Sequence, residues 1–187
     1  MRIIAGTGRG KKLTAPPGMT TRPTSDRVKE ALFSILGSRI DFAGMNVLDI
    51  CAGSGSLGIE ALSRGAGFCR FIENNRSVAA VLETNLAAAG FRGYAECLTM
   101  DVVQALQGSA VRRNRYDLAF FDPPYASALY QQVMVLLDES SVLSLGGLLA
   151  AECSARNPLQ EAYGRLTRID RRVYGDTAIE LFVQEEQ

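Results

Sequence analysis

The sequence predicts an α/β fold, a mostly parallel sheet with helices on both faces. Three observations carry this. From Asn46 onward, short apolar strands alternate with amphipathic helices, the pattern of parallel βαβ units. Tyr116–Phe121 is nearly all apolar, as expected for a strand buried on both faces. The 187 residues, 47% hydrophobic and 21% charged, suffice for one ordinary core and exclude a disordered, collagen-like or coiled-coil chain.

Arg2–Ala5 and Lys11–Thr14 read as the arms of a small hairpin around Gly6, Gly8 and Gly10. Thr24-Ser25-Asp26 offers helix-capping side chains and a first-turn acid. Val28, Ala31, Leu32 and Ile35 follow at helical spacing, so a helix runs to about Leu36 and stops at Gly37. Val47–Ile50 is a strand, followed by a glycine loop and a helix through Ala61. Cys69–Ile72 is a second strand. The helix Arg76–Ala89 carries Val78, Val81, Leu82, Leu86 and Ala89 on one face and ends at Gly90. Ala95–Thr99 is a third strand and Tyr116–Phe121 a fourth, with a short helix over Val102–Leu106 between them. A helix over Leu129–Asp138 precedes a fifth strand, Leu148–Cys153. Arg165–Val173, the tight Tyr174-Gly175-Asp176 connection and Ala178–Gln184 read as an antiparallel hairpin. Residues 1–45 thus form a hairpin-and-helix extension, and residues 46–187 the α/β domain.

Twenty basic residues balance 20 acidic ones, which argues against a nucleic-acid magnet built from the whole protein. The charge is uneven, however. Arg2, Arg9, Lys11, Lys12, Arg22, Arg27 and Lys29 stand against Asp26 and Glu30 within residues 1–30. Arginine dominates, and its planar fork suits phosphate contacts and base stacking. The functional reading is an RNA or DNA contact surface; the plain one is a solvated basic terminus. No apolar run approaches the roughly 20 residues of a membrane span, and the start, MRIIAGTGRG, lacks a signal-peptide core. A cytoplasmic protein is expected. Cys51, Cys69, Cys97 and Cys153 make no CxxC pair, and there is no histidine, so no metal site is expected and the thiols read as reduced and buried. The lack of histidine also removes Ser-His-Asp and Cys-His catalysis.

Two motifs carry chemistry. Gly53, Gly55 and Gly58 form G-x-G-x-x-G between a strand and a helix, where backbone N–H groups can approach a ligand at a helix N-terminus. Dinucleotide sites look similar, and a packing turn would too. Asp49, at the strand end, would face the ligand crevice, hold a cationic amine and repel a pyrophosphate. Glu73 closes the next strand, and its two oxygens could bind both ribose hydroxyls. Asp101 closes the third, where it can accept from an adenine amino group, cap the following helix, or both. The second motif, Asp122-Pro123-Pro124-Tyr125, ends the apolar fourth strand. Its prolines rigidify the backbone, so the Asp carboxylate and a backbone carbonyl present acceptors to one point. An exocyclic amine on a base needs this arrangement, and Tyr125 can stack on the base.

DICAGSGSLGIEALSRGA (Asp49–Ala66) with FDPPY (Phe121–Tyr125) resembles the class I methyltransferases that use S-adenosylmethionine (SAM) to modify amino nitrogens. Arg2–Gly6, Arg9-Gly10-Lys11 and the run TRPTSDRVKEALF (Thr21–Phe33) are similar to the RsmD family, which methylates the N2 amine of one guanine in 16S rRNA of the small ribosomal subunit. The resemblance spans nearly the whole chain, and the N-terminal element is its more specific part. It implies a Rossmann-like, seven-stranded sheet in the order 3-2-1-4-5-7-6 with the last strand antiparallel. It implies SAM as cofactor, S-adenosylhomocysteine as product, and 16S rRNA as partner; a monomer is expected. Carried over by motif, Asp49, Ala52, Gly53, Ser54, Gly55, Glu73, Asn74, Asp101 and Val102 would bind the cofactor. Asp122 and Pro123 would orient the guanine amine, and Tyr125 would stack on the guanine. Arg22, Pro23, Thr24 and Arg27 would close over the cofactor or contact the RNA substrate, a plain helix-surface charge being the other reading of Arg27, and Pro124 would contact substrate. Cys51 stands where the family commonly has a bulky aromatic, which puts the packing beside the cofactor in question. The DPPY motif is shared with DNA adenine and cytosine amino methyltransferases, the main alternative. Those enzymes usually add a target-recognition region, for which this chain leaves little room. A protein-glutamine methyltransferase, a non-catalytic RNA-binding factor and a nicotinamide dehydrogenase are further alternatives.

Overall fold

The computed structural model describes residues 1–16, 26–123 and 129–186. Helix α1 (Asp26–Gly37) leads into β1 (Asn46–Ile50), α2 (Ser56–Ser63), β2 (Phe68–Glu73), α3 (Arg76–Ala89) and β3 (Ala95–Thr99). Then come α4 (Val102–Gln107), α5 (Ser109–Arg112), β4 (Tyr116–Phe121), α6 (Leu129–Ser140), β5 (Leu143–Ser154), β6 (Ala162–Tyr163), β7 (Leu166–Tyr174) and β8 (Thr177–Gln184). The strands form one sheet in the order β3-β2-β1-β4-β5-β8-β7-β6. β1 to β5 run parallel, and β8 enters antiparallel between β5 and β7.

The expected seven-strand order is present as β3-β2-β1-β4-β5-β8-β7. One correction is needed. An eighth strand, β6, pairs Ala162 and Tyr163 with Thr167 and Leu166 at the edge. Two residues carry no readable alternation, so the pattern does not announce them. β5 is also longer than Leu148–Cys153. It begins at Leu143, and its pairing with β4 shifts register between Tyr116 and Leu118. Gly146 and Gly147 make an irregular stretch within the strand; a Cβ at Gly147 would lie 2.8 Å from Ser144 O.

Strand alternation divides the core between the two faces. Val47, Phe71, Leu118, Phe120, Leu148 and Ala150 pack with residues of α1, α2 and α3. Leu48, Ile50, Ile72, Ala119, Phe121, Leu149 and Ala151 pack with residues of α4, α5 and α6. Ile3, Leu13, Val28, Phe33 and Phe42 of the N-terminal extension belong to the first cluster.

The expected N-terminal hairpin is reduced to one antiparallel bridge, Arg2 to Lys12. Ile3 N donates to Lys11 O, Gly10 N to Ile3 O and Leu13 N to Met1 O, but beyond Ile3 the first arm turns to other partners. The reason lies on α2. The N–H groups of Ile4 and Ala5 donate to Glu60 Oε2 and Oε1 at 2.8 and 2.9 Å, and Thr7 N donates to Ser63 O. A side-chain carboxylate has taken the place of a partner strand. Gly6 sits at φ 80°, where a Cβ would be 1.7 Å from Ser63 O, so the segment lies flat on the helix. Among the described residues no helix is long and apolar enough to cross a membrane.

Candidate active site

The glycine loop follows β1 and turns into α2. Cys51, Gly53 and Gly55 all adopt positive φ, at 60°, 56° and 78°. Ala52 N donates to Ile72 O and Gly55 N to Ala52 O, at 2.9 and 2.8 Å. The three glycines do different work. A Cβ at Gly55 would lie 2.2 Å from Leu82 Cδ1, and one at Gly58 would lie 2.4 Å from Phe71 Cε1. These two permit close packing of loop and helix. A Cβ at Gly53 would meet nothing within 4 Å. Gly53 therefore borders open space beside the first turn of α2, where the positive end of the helix favours an approaching acceptor.

Asp49 corrects one expectation. It shares the Val47 face of β1 and lies beneath the start of α2, only 2% exposed, rather than out in the crevice. Its Oδ2 accepts from Gly58 N at 2.8 Å. Burial pushes its carboxyl well above the usual range; the Gly58 bond opposes this, and the charges of Asp122 and Glu73 add to it.

Glu73 is half-buried at the end of β2. Its Oε2 accepts from Gly53 N and its Oε1 from Asn75 N, both at 2.9 Å. Asn74, beside it, is exposed. Asp101 caps α4, its Oδ1 accepting from Val103 N and Gln104 N at 2.9 and 3.2 Å. Val102 is buried, and Ser54 is buried with its Oγ 3.7 Å from Met1 Sδ.

Cys51 reports the charge of the site. Burial pushes its thiol up to about 12, and the negative charges of Glu73, Asp49, Asp122 and Asp101 all push the same way. Four carboxylates therefore converge on one strand-end position. Among the described residues no ion pair reaches Asp49, Glu73 or Asp101. Glu73 and Asp101, without an ion pair among the described residues, give this strand-end position a negative charge that suits a cationic ligand. The four thiols are free, Cys69 and Cys153 buried, Cys51 and Cys97 half-buried. Among the described residues no group of three His, Cys, Asp or Glu is set to hold a metal ion.

Asp122, half-buried, and Pro123, buried, follow β4, the neighbour of β1 in the sheet. The sequence motifs thus meet at the carboxyl edge of adjacent parallel strands, the usual ligand position in open α/β sheets. Tyr130 of α6 stands behind them. Its hydroxyl lies 2.8 Å from Glu152 O and 3.4 Å from Pro123 O, and its ring meets Phe121 edge-on at 5.4 Å. Arg27 is exposed on α1. Arg22, Pro23, Thr24, Pro124 and Tyr125 lie outside the described residues.

Two polar residues near the site, Glu60 and Asn85, escaped the sequence reading, and a third, Lys29, corrects it: counted among the basic charges of a contact surface or solvated terminus, it is held inside by acceptors on Arg2, Ser56 and Glu60. Lys29 is fully buried; its Nζ donates to Arg2 O at 2.7 Å and Ser56 Oγ at 3.1 Å, and lies 3.7 Å from Glu60. Burial lowers its pKa, against the pull of Glu60. Glu60 is fully buried and also accepts from Arg64 Nε at 2.9 Å. Asn85, 1% exposed, holds Thr14 and Ser54. A signal existed. Asn85 interrupts the apolar stripe Val78, Leu82, Ala89, and Lys29 sits in the stripe of Val28, Leu32, Phe33, Leu36.

Residues 1–183 match the family described as Conserved hypothetical protein 95. The chain is 35% identical over 187 residues to ribosomal RNA small subunit methyltransferase D of Escherichia coli K12, covering 100% of this chain and 91% of that protein. The protein of the same name in Haemophilus influenzae is 38% identical over 160 residues, 85% of this chain and 81% of its own length. The solved structure of yhhF from Escherichia coli superposes with a TM-score of 0.87 at 34% identity, covering 100% of this chain and 99% of the other.

Proposed function

The chain belongs to the Conserved hypothetical protein 95 family, the RsmD family that its motifs resemble, and from that premise we propose that it methylates the N2 amine of a guanine in 16S rRNA. The coarser reading is a SAM-dependent rRNA methyltransferase, and SAM is the methyl donor. The observation that carries the reading is the acidic cluster made by Glu73, bonded to Gly53 N–H at the open side of the glycine loop, with Asp101 and Asp122 after the neighbouring strands. A sulfonium and an α-ammonium group complement such a cluster.

Gly53, Ser54 and Gly55 would cradle the cofactor against the α2 N-terminus. Glu73 would accept from the ribose hydroxyls; each of its oxygens has lone pairs beyond those facing Gly53 and Asn75. Asp101 would face the adenine from the cap of α4, flanked by Val102 and Asn74. Bound there, SAM supplies a methyl group made electrophilic by its sulfonium.

The protein's task is alignment. Asp122 Oδ and the Pro123 carbonyl would accept the two hydrogens of the guanine amine. This holds its nitrogen lone pair, otherwise delocalised into the ring, on the line of attack. As the N–C bond forms and the S–C bond breaks, the nitrogen gains positive charge and its proton passes to Asp122 or to water. A carboxylate of ordinary basicity is enough, since the proton becomes acidic only as methyl transfer proceeds. Tyr125 would stack on the base with Pro124 beside it. Arg22, Pro23, Thr24 and Arg27, in the basic 1–45 extension, would close over the cofactor or touch RNA, with the two arginines suited to phosphates.

The test is methyl transfer from tritiated SAM to small ribosomal subunits that lack their own guanine methylation, with DNA and protein pools alongside and nucleosides separated after digestion. Label in N2-methylguanosine is the expected result. Label only in DNA replaces this reading with a DNA amino methyltransferase, and label in no pool overturns the substrate.

A further inference from the structure

We propose that Asn85 is a positioning residue that locks the glycine loop and ties cofactor affinity to docking of the N-terminal segment. The proposal rests on the functional reading above and adds a residue of α3 that touches neither reacting group.

The Asn85 carboxamide is 1% exposed and makes three hydrogen bonds. Nδ2 donates to Ser54 O at 2.9 Å and to Thr14 O at 3.0 Å. Oδ1 accepts from Thr14 N at 2.8 Å. To Thr14 the side chain acts like a neighbouring strand. To the loop it is the holder of one peptide unit. The Ser54–Gly55 peptide is gripped at both ends, its carbonyl by Asn85 and its N–H by Ala52 O at 2.8 Å. Gly55 has φ 78°, so turning that peptide would redirect the loop backbone beside the open side of Gly53.

A second tie has the same design. Lys29 Nζ donates to Ser56 Oγ and Arg2 O. Ser54 and Ser56, on either side of Gly55, are therefore each bound to a buried polar side chain that also holds backbone of the N-terminal segment. If Thr14 left, Asn85 would lose two of its three partners, and a buried amide without partners is costly. Loop geometry and segment docking must then rise and fall together.

The experiment uses the full chain and S-adenosylhomocysteine as calorimetric probe, with wild type, Asn85→Asp, Asn85→Ala and Thr14→Pro. Asn85→Asp keeps the acceptor for Thr14 N but loses both donors. It and Asn85→Ala should weaken binding about tenfold or more, the scale of one buried hydrogen bond lost with its partner stranded. Thr14→Pro changes an exposed residue, removes the donor to Oδ1 and sets a ring carbon against that oxygen; it leaves the Asn85 side chain in place and should weaken binding about threefold or more, which keeps a second readout if Asn85→Ala fails to fold. In turnover, the Asn85→Asp KM for SAM should rise while kcat at saturating SAM stays within about twofold of wild type. A merely structural Asn85 would lower thermal stability and kcat with KM unchanged, which overturns the proposal. So does probe affinity unchanged in all three variants while wild type binds. Wild-type protein that does not bind the probe overturns the functional reading itself.

Discussion

Asp49 and Glu180 are both carboxylates buried in the sheet, one on β1 and one on β8, and they are treated oppositely. Glu180 is fully buried, and two guanidinium groups neutralise it. Arg168 Nη1 donates to Oε2 at 3.0 Å and Arg171 Nε to Oε1 at 2.9 Å, with the Cys153 thiol 3.5 Å from Oε1. Asp49 is held by one backbone N–H and faces other acids. Glu60 follows the Glu180 pattern, with Lys29 and Arg64 as its cations. Where a buried charge serves the fold, the fold supplies the counter-charge. At the end of β1 it does not, and the imbalance marks the place a cationic ligand would fill.

Four substitutions test that contrast. The largest effect is expected at Asp122. Asp122→Ala should lower kcat more than about a hundredfold, the scale seen when one preorganised polar group is removed, while calorimetric affinity for S-adenosylhomocysteine stays within a few-fold. Turnover near wild type would remove Asp122 from the chemistry. Next, Glu180→Ala strands two partly buried arginines. It should cost about 3 kcal/mol, at the lower end for a broken buried pair because the guanidiniums can rehydrate. For a chain of this size that lowers Tm by about 6–12 °C. Methyl transfer well below Tm should be unaffected, and an altered KM for SAM would erase the distinction between the two regions.

Glu73→Ala should weaken cofactor binding by about 10- to 100-fold, since hydrogen bonds to a charged acceptor are worth roughly 1.5–3 kcal/mol. Calorimetry with an unchanged Kd would contradict the role. The smallest effect is expected at Asp49→Asn, which keeps an acceptor for Gly58 N–H but cannot ionise. The wild-type carboxyl titrates above its unfolded value of 3.8. Between those two pH values the folded state holds more protons, so stability falls as pH rises through that window. The variant lacks this loss. Its Tm advantage should be near zero at acid pH and grow as pH rises towards neutral. Parallel Tm–pH curves for the two proteins would show that Asp49 carries no burial cost.

Much of this was legible in advance because it is written in local periodicity. The helix Arg76–Ala89 and the strand Tyr116–Phe121 appear with the expected bounds, and Gly90 ends the helix in a left-handed conformation. The strand-end positions of Glu73, Asp101 and Asp122 followed from the same alternation. Capping of α4 by Asp101 was one of two readings and is the one its hydrogen bonds display. The N-terminal hairpin is shorter than expected for a nonlocal reason. Ile4 and Ala5 have a strand-like pattern, but their N–H groups find Glu60, 56 and 55 residues away. The buried places of Asp49, Lys29 and Asn85 were hidden likewise, because a polar residue in an apolar stripe announces only that a partner exists.

The sequence alone determined the alternating elements, the glycine turn, the strand-end acids and the Asp122-Pro123 corner, since each depends on residues a few positions apart and on the short-range sterics of glycine, proline and side-chain alternation. Only the tertiary structure decided which acids are neutralised and which are not. That depends on cations distant in the chain, such as Arg168 for Glu180 and Lys29 for Glu60, whose approach is set by packing against the sheet.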